Sequence, residues 1–204
     1  MATGTLQGPV RFAHPARMPR RGRLPLLAAV LLLLLSLVFP YWQVTLYAPQ
    51  YPEGLRARVY LTHVGGDAQE ITTLNHYIGM PGLDVAAPLE RRLAVPLVLL
   101  SAAALLLLAA RRLPARRWLQ LLLRLPVVLL PAVVLADLAY WLWWMGHTID
   151  PTAPITIEPF MPTILGRGGV MQFSTSATFG VGFFLALAAS VLSLYDFARG
   201  RARG

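Results

Sequence analysis

Cysteine and lysine are both missing from this chain of 204 residues. Without lysine there is no P-loop lysine, no Schiff-base lysine and no Ser-Lys dyad. Without cysteine there is no iron–sulfur cluster, no thiolate copper centre of the usual kind and no disulfide exchange. Charge is scarce too: 13% of residues are Asp, Glu or Arg, where an average soluble domain carries about a quarter. No histidine lies inside a long apolar run, which excludes a haem held between helices by two histidines. None of the serines sits in a nucleophile elbow beside a plausible base. Together these absences argue against an independent enzyme.

What is abundant is apolar sequence, at 56% of the chain. Four runs reach or approach the roughly 20 residues that cross a bilayer: 24–42, 93–110, 125–144 and 178–197. Prolines 25, 96, 126 and 131 stand early in their runs, where a helix tolerates them best. The first run resembles a signal peptide in having arginines before it. It continues into "FPYWQV" with no small-x-small cleavage site, so it reads as a retained anchor. The expected fold is an all-α integral membrane protein of four transmembrane helices and two extracytoplasmic loop regions. In order, the segments are a basic tail (1–23), helix (24–42), loop region (43–92), helix (93–110), basic loop (111–124), helix (125–144), Pro-rich loop (145–177), helix (178–197) and tail (198–204).

Arginine placement orients this arrangement. Thirteen of the 18 arginines fall in the N-terminal tail, in or beside "RRLPARR", or in the C-terminal tail. The two long loops hold the other five beside seven acids, so both termini are expected in the cytoplasm of an inner-membrane protein. The net charge of +9 reflects these topology signals and not a nucleic-acid site, for which no recognition motif is present. The expected partners are the lipid bilayer and another membrane or extracytoplasmic protein.

In the first loop, "LRARVYLTHV" alternates as a short strand does, with Gly65 and Gly66 as its turn. "DAQE" reads as a capping box, Asp67 being the N-cap and Glu70 its reciprocal partner, and Gly79 and Pro81 stop the helix that follows. The second loop carries prolines 151, 154, 159 and 162, which favour extended chain. Neither loop can bury a core alone, so the two are expected to pack together.

The residues that could carry chemistry are few. His76 and Met80, in "LNHYIGM", offer imidazole and thioether to a soft ion such as transient Cu(I), with His147 or Met161 of the second loop as a third ligand. The plainer reading is a helix end in which His76 bonds a carbonyl or faces solvent and Met80 fills an apolar gap. Asp137 is the one acid well inside an expected span; it marks either a proton path or partner contact, or a carboxyl sharing a hydrogen bond with a neighbouring helix. "AYWLWW" is an interfacial aromatic belt. Gly180, Gly182, Ala186, Ala189 and Ser190 supply small faces for helix contact, within the bundle or with a partner.

"YAPQYPEGLRARVYL", "GDAQEITTLNHYIGM" and "GHTIDPTAPITIEPFMP" resemble segments of NosB-type four-span membrane proteins, which accompany nitrous-oxide reductase genes in denitrifying bacteria. The resemblance runs from about Pro40 into the last span. It implies an accessory role in nitrous-oxide respiration and brings no catalytic residues with it. Two functions follow as expectations. One is assembly or copper supply for an extracytoplasmic copper reductase. The other is a membrane anchor or adaptor for an electron-transfer complex, with no cofactor of its own. A transporter is a weaker third, because one buried acid gives a path little to line it.

Overall fold

A computed structural model describes residues 23–110, 116–170 and 172–201. It corrects the all-α expectation. Five helices accompany a five-stranded antiparallel sheet, so the fold is mixed. The helices are α1 (Leu24–Ser36), α2 (Ala68–Tyr77), α3 (Pro88–Ala109), α4 (Arg117–His147) and α5 (Val181–Arg201). The strands are β1 (Trp42–Ala48), β2 (Tyr51–Val59), β3 (Val64–Gly66), β4 (Gly166–Val170) and β5 (Phe173–Phe179), in the sheet order β3-β2-β1-β5-β4.

Among the described residues, three helices, not four, are long and apolar enough to cross a membrane: α3, α4 and α5 from Val181 to Arg199. Helix α1 has 13 residues, or about 20 Å, against a hydrocarbon core of roughly 30 Å. It stops early because Pro40 disfavours helix in the residue before it, and because Trp42, Val44 and Leu46 alternate as a strand. That alternation begins at the last residue of the apolar run and continues into what was expected to be the first loop region. Helix α4 begins at Arg117, eight residues before the apolar run, so Pro126 and Pro131 lie in its middle.

The two long loops do pack together, and the contact is a ladder. Strand β1 pairs along its length with β5, Trp42 opposite Phe179 and Val44 opposite Ala177. Strand β5 was concealed because the proline-rich character of its loop ends at Pro162. From Phe173 onward, Phe, Thr, Ala and Phe alternate with Ser, Ser and Thr, which is strand periodicity. The central pair β1/β5 continues directly into α1 and α5. Tyr41 O accepts from Gly180 N at 2.9 Å, and Pro40 O from Gly182 N at 2.9 Å. A Cβ on Gly180 would collide with the Pro40 carbonyl, so only glycine admits this junction. Helices α1 and α4 run toward the sheet, and α3 and α5 run away from it.

Two local readings also change. Gly65 and Gly66 lie in β3, opposite Arg58 and Ala57, and the turn falls at Tyr60–His63 instead. Asp67 does occupy the N-cap of α2, but its side chain makes no capping bond. Its carboxylate accepts the Arg56 backbone N–H at 2.8 Å, which prolongs the β2–β3 ladder.

The bundle core joins Leu26, Ala29, Val30 and Leu33 of α1 to Val98, Ala102 and Leu105 of α3, Val127 of α4 and Ala189 of α5. Ala186, Ala189 and Ser190 are buried within the chain, so the small face of α5 serves its own bundle.

Candidate functional site

"LNHYIGM" finds its role in the docking of the second loop. Helix α2 ends at Tyr77 with Ile78 as its C-cap, and Gly79 turns the chain at φ +75. Gly79 O accepts from Asp150 N at 2.9 Å, and Tyr77 O from Ile155 N at 3.0 Å. A Cβ on Gly79 would stand 2.6 Å from Asp150 O. The second loop is therefore laid against the end of α2 by main-chain bonds. On its other side, Phe160 N donates to Gly146 O at 3.0 Å and Trp42 Nε1 to Ile164 O at 2.6 Å. Asp150 closes its own turn by accepting from the Thr152 N–H and hydroxyl, which hold its carboxyl below the usual carboxylate range.

The four candidate copper ligands fall in different surroundings. Met80 is buried in an apolar cluster with Ile78, Ala86 and Met145, flanked by Trp141 and Trp144. His76 is exposed. His147 is also exposed, with Nδ1 2.8 Å from Trp143 O and its ring stacked on Trp143. Met161 lies at the surface. Among the described residues, no three His, Cys, Asp or Glu side chains form a group that could hold a metal ion.

Asp137 opens onto a feature that the sequence did not reveal. A cavity of about 480 Å³ lies between α3 and α4 beneath the sheet. Its walls are apolar, and Val59, Tyr60 and Val64 roof it. The ionisable side chains lining it are Asp137 and two residues from the start of α3, Glu90 and Arg91, with the phenols of Tyr41 and Tyr60. Arg91 lies within electrostatic reach of Asp84, Asp137 and Glu90. Its guanidinium donates to Leu83 O at 2.9 Å and Asp84 O at 3.0 Å, clamping the loop that leads into α3. The sequence placed Glu90 and Arg91 at the end of the first extracytoplasmic loop region; the proximity of α3 to α4 brings them to the cavity that Asp137 lines.

An ion pair was also missed. Arg124, counted among the topology arginines, is 3% exposed and bonds Asp196 of α5 at 2.7 Å. Its guanidinium also lies over the Phe197 ring, 5.4 Å from the centroid. The available signal was Asp196 itself, an acid inside the last apolar run.

No family model and no curated protein matches this chain. The family resemblance drawn from the loops rests on those residues alone.

Proposed function

We propose that this chain is a non-enzymatic, multi-pass accessory protein of the inner membrane that anchors an electron-transfer partner of nitrous-oxide respiration, holding no cofactor of its own. The observation that carries this reading is the cap. Both interhelical segments are built into one sheet that continues into α1 and α5, which makes a platform fixed to the bundle. Among the described residues, three helices are long and apolar enough to cross a membrane, and the arginines between α3 and α4 and after α5 support a cap on the opposite, outer face. The loop resemblance supplies the respiratory context.

Copper supply to the reductase is the second reading, and exposed His76 and His147 favour it. Burial of Met80 among apolar side chains weighs against it. A deletion strain separates the two. Under the adaptor reading, nitrous-oxide reduction driven by the cell's own quinol pool falls, while reduction driven by a soluble viologen donor is kept. Under the copper reading both fall, and the reductase is recovered poor in copper. Unchanged activity with both donors would remove both readings.

A further inference from the structure

We propose that the outer face of the cap sheet docks the acidic face of a soluble electron-transfer protein. The strands sort their side chains by character. Trp42, Val44 and Ala177 pack inward with Leu142 of α4, and Leu55 and Ala57 with Ile71 of α2. Alternation sends the residues between them to the opposite face. The five strands contain four charged residues, the acid Glu53 and the arginines Arg56, Arg58 and Arg167. Thr45 lies opposite Arg56 on one side and Ser176 on the other, and Ser176 lies opposite Arg167. One row across four strands thus carries an arginine at each end, roughly 14 Å apart at the usual strand spacing. Arg58 stands in the neighbouring row, opposite Gln43. All three arginines are exposed, and the ion pair found among the described residues, Arg124 to Asp196, involves none of them.

Nearby acids do little to neutralise this face. Asp67 and Glu70 belong to the start of α2, behind the sheet, and the Asp67 carboxylate is engaged by the Arg56 backbone N–H. Glu53 stands three residues from Arg56, at the end of β2 away from the bundle. The result is a positive surface that calls for a negative one. Position along the strands decides between lipid and protein. Strands β1 and β5 join α1 and α5 beside Trp42 and Phe179, so Arg58 stands one residue beyond the junction. The row of Arg56 and Arg167 lies two residues farther out, roughly 7 Å. A bilayer reaches the lower arginine, whereas a protein reaches both rows. The face measures roughly 19 Å across its five strands and 24 Å along β1, which suits the small contacts of weak redox encounters. Exposed Tyr47, on the same face opposite Ser174, adds a residue type enriched with arginine at protein contacts.

The class of partner rests on the adaptor reading, but the test needs neither reductase nor deletion strain, so its failure is distinct from the failure of that reading. The chain has no cysteine, so Ser174→Cys labelled with bimane reports contact at this face and ignores binding at the far end of the bundle. The labelled full-length protein, in nanodiscs of phosphatidylcholine, is titrated with flavodoxin as an acidic redox probe and with cytochrome c as a basic one. A saturable bimane response to flavodoxin and none to cytochrome c is expected at low salt. It should weaken as the Debye length shortens to about 8 Å at 0.15 M. Glutamine at any one of the three arginines should weaken binding about two- to fivefold, the range for exposed ion pairs, and glutamine at all three about tenfold or more. Lysine at all three should keep it. Arg56→Glu with Arg167→Glu should turn the response from flavodoxin to cytochrome c. Thermal unfolding by circular dichroism checks that each variant is folded. The absence of a saturable response, or a full response in the triple glutamine variant, overturns the proposal. So does a Tm raised by phosphatidylglycerol in the native chain but not in the triple glutamine variant, with no response to flavodoxin, which would make lipid the occupant.

Discussion

The cap and the bundle are parts of one chain held together by different forces. In the cap, the main chain does the joining: the β1–β5 ladder, Gly79 O to Asp150 N and Tyr77 O to Ile155 N. Apolar clusters around Met80 and around Leu55, Ala57 and Ile71 then seal the cap from water. In the bundle, lipid is as apolar as leucine, so burial supplies little drive between helices. Contact there depends on small side chains and on a few polar groups that cross from helix to helix. These are Arg124 to Asp196 and Ser190 to the α4 main chain. The bundle of apolar helices is thus specified by its polar exceptions, and the cap by its backbone.

That contrast can be broken most forcefully at Arg124. Arg124→Leu leaves Asp196 without its cation in a largely buried setting, and should cost about 3–5 kcal/mol. Asp196→Leu should cost a similar amount. The double change to leucine at both positions should recover most of the loss, since an apolar pair of similar volume is often as stable as a buried ion pair. Thermal unfolding of the purified protein in detergent measures all three. A double variant as weak as either single one would mean that the pair does more than neutralise itself.

Tyr41 joins the two regions and carries a pH dependence. Its phenol is 2% exposed and donates to Ser36 Oγ at 2.8 Å, which in turn donates to Leu33 O. Burial pushes its pKa up to about 12 from 10.0, partly opposed by the Ser36 bond. The folded value lies above the unfolded one. The neutral phenol's contribution is therefore complete below about pH 10 and is lost as pH rises toward 12. Two units correspond to about 3 kcal/mol. Stability should fall across that window in the native chain, and the fall should be shallower in Tyr41→Phe.

The same division explains what could be read beforehand. Helices α3, α4 and α5 were legible because hydropathy needs only composition over a long window. The sheet was not, because β1 fell almost wholly in the first loop region, just past an apolar run, and β5 lay behind four prolines. Edge strand β4, "GRGGV", has almost no side chains with which to announce itself. The individual ionisable residues at the candidate site were visible, but their meeting was not. Asp137 stood out as an intramembrane acid, whereas Glu90 and Arg91 reach the same cleft only through the packing of α3 beside α4. The copper ligands were chosen by residue type, and type does not show that Met80 points into an apolar cluster.

In the cap, Gly79→Ala should strike the backbone contact directly. The left-handed φ of +75 costs a non-glycine residue roughly 1–2 kcal/mol, and the added Cβ presses on Asp150 O. A total near 2 kcal/mol is expected, with faster proteolysis between Asp150 and Thr163. An unchanged cleavage rate there would mean that side-chain burial, not the main chain, holds the second loop.

The smallest expected effect is the most diagnostic of the bundle. Pro131 sits inside α4 and has no N–H, so the carbonyl four residues back, Val127 O, loses its helical donor. Ser190 of α5 donates its hydroxyl to that oxygen at 2.7 Å and lies 3.0 Å from Val128 O. A proline defect in one helix is thus answered by a serine in the next, which also fixes how α5 is rotated against α4. Ser190→Ala should cost about 1 kcal/mol, at the upper end of what such bonds contribute in membrane proteins. In a Pro131→Ala background the α4 N–H returns to Val127 O, so removing Ser190 should then cost markedly less. The difference between the two backgrounds, read from unfolding in detergent as a double-mutant cycle, measures the coupling. Equal costs in both would show that Ser190 contributes only its small volume, and that packing alone joins α4 to α5 at that level.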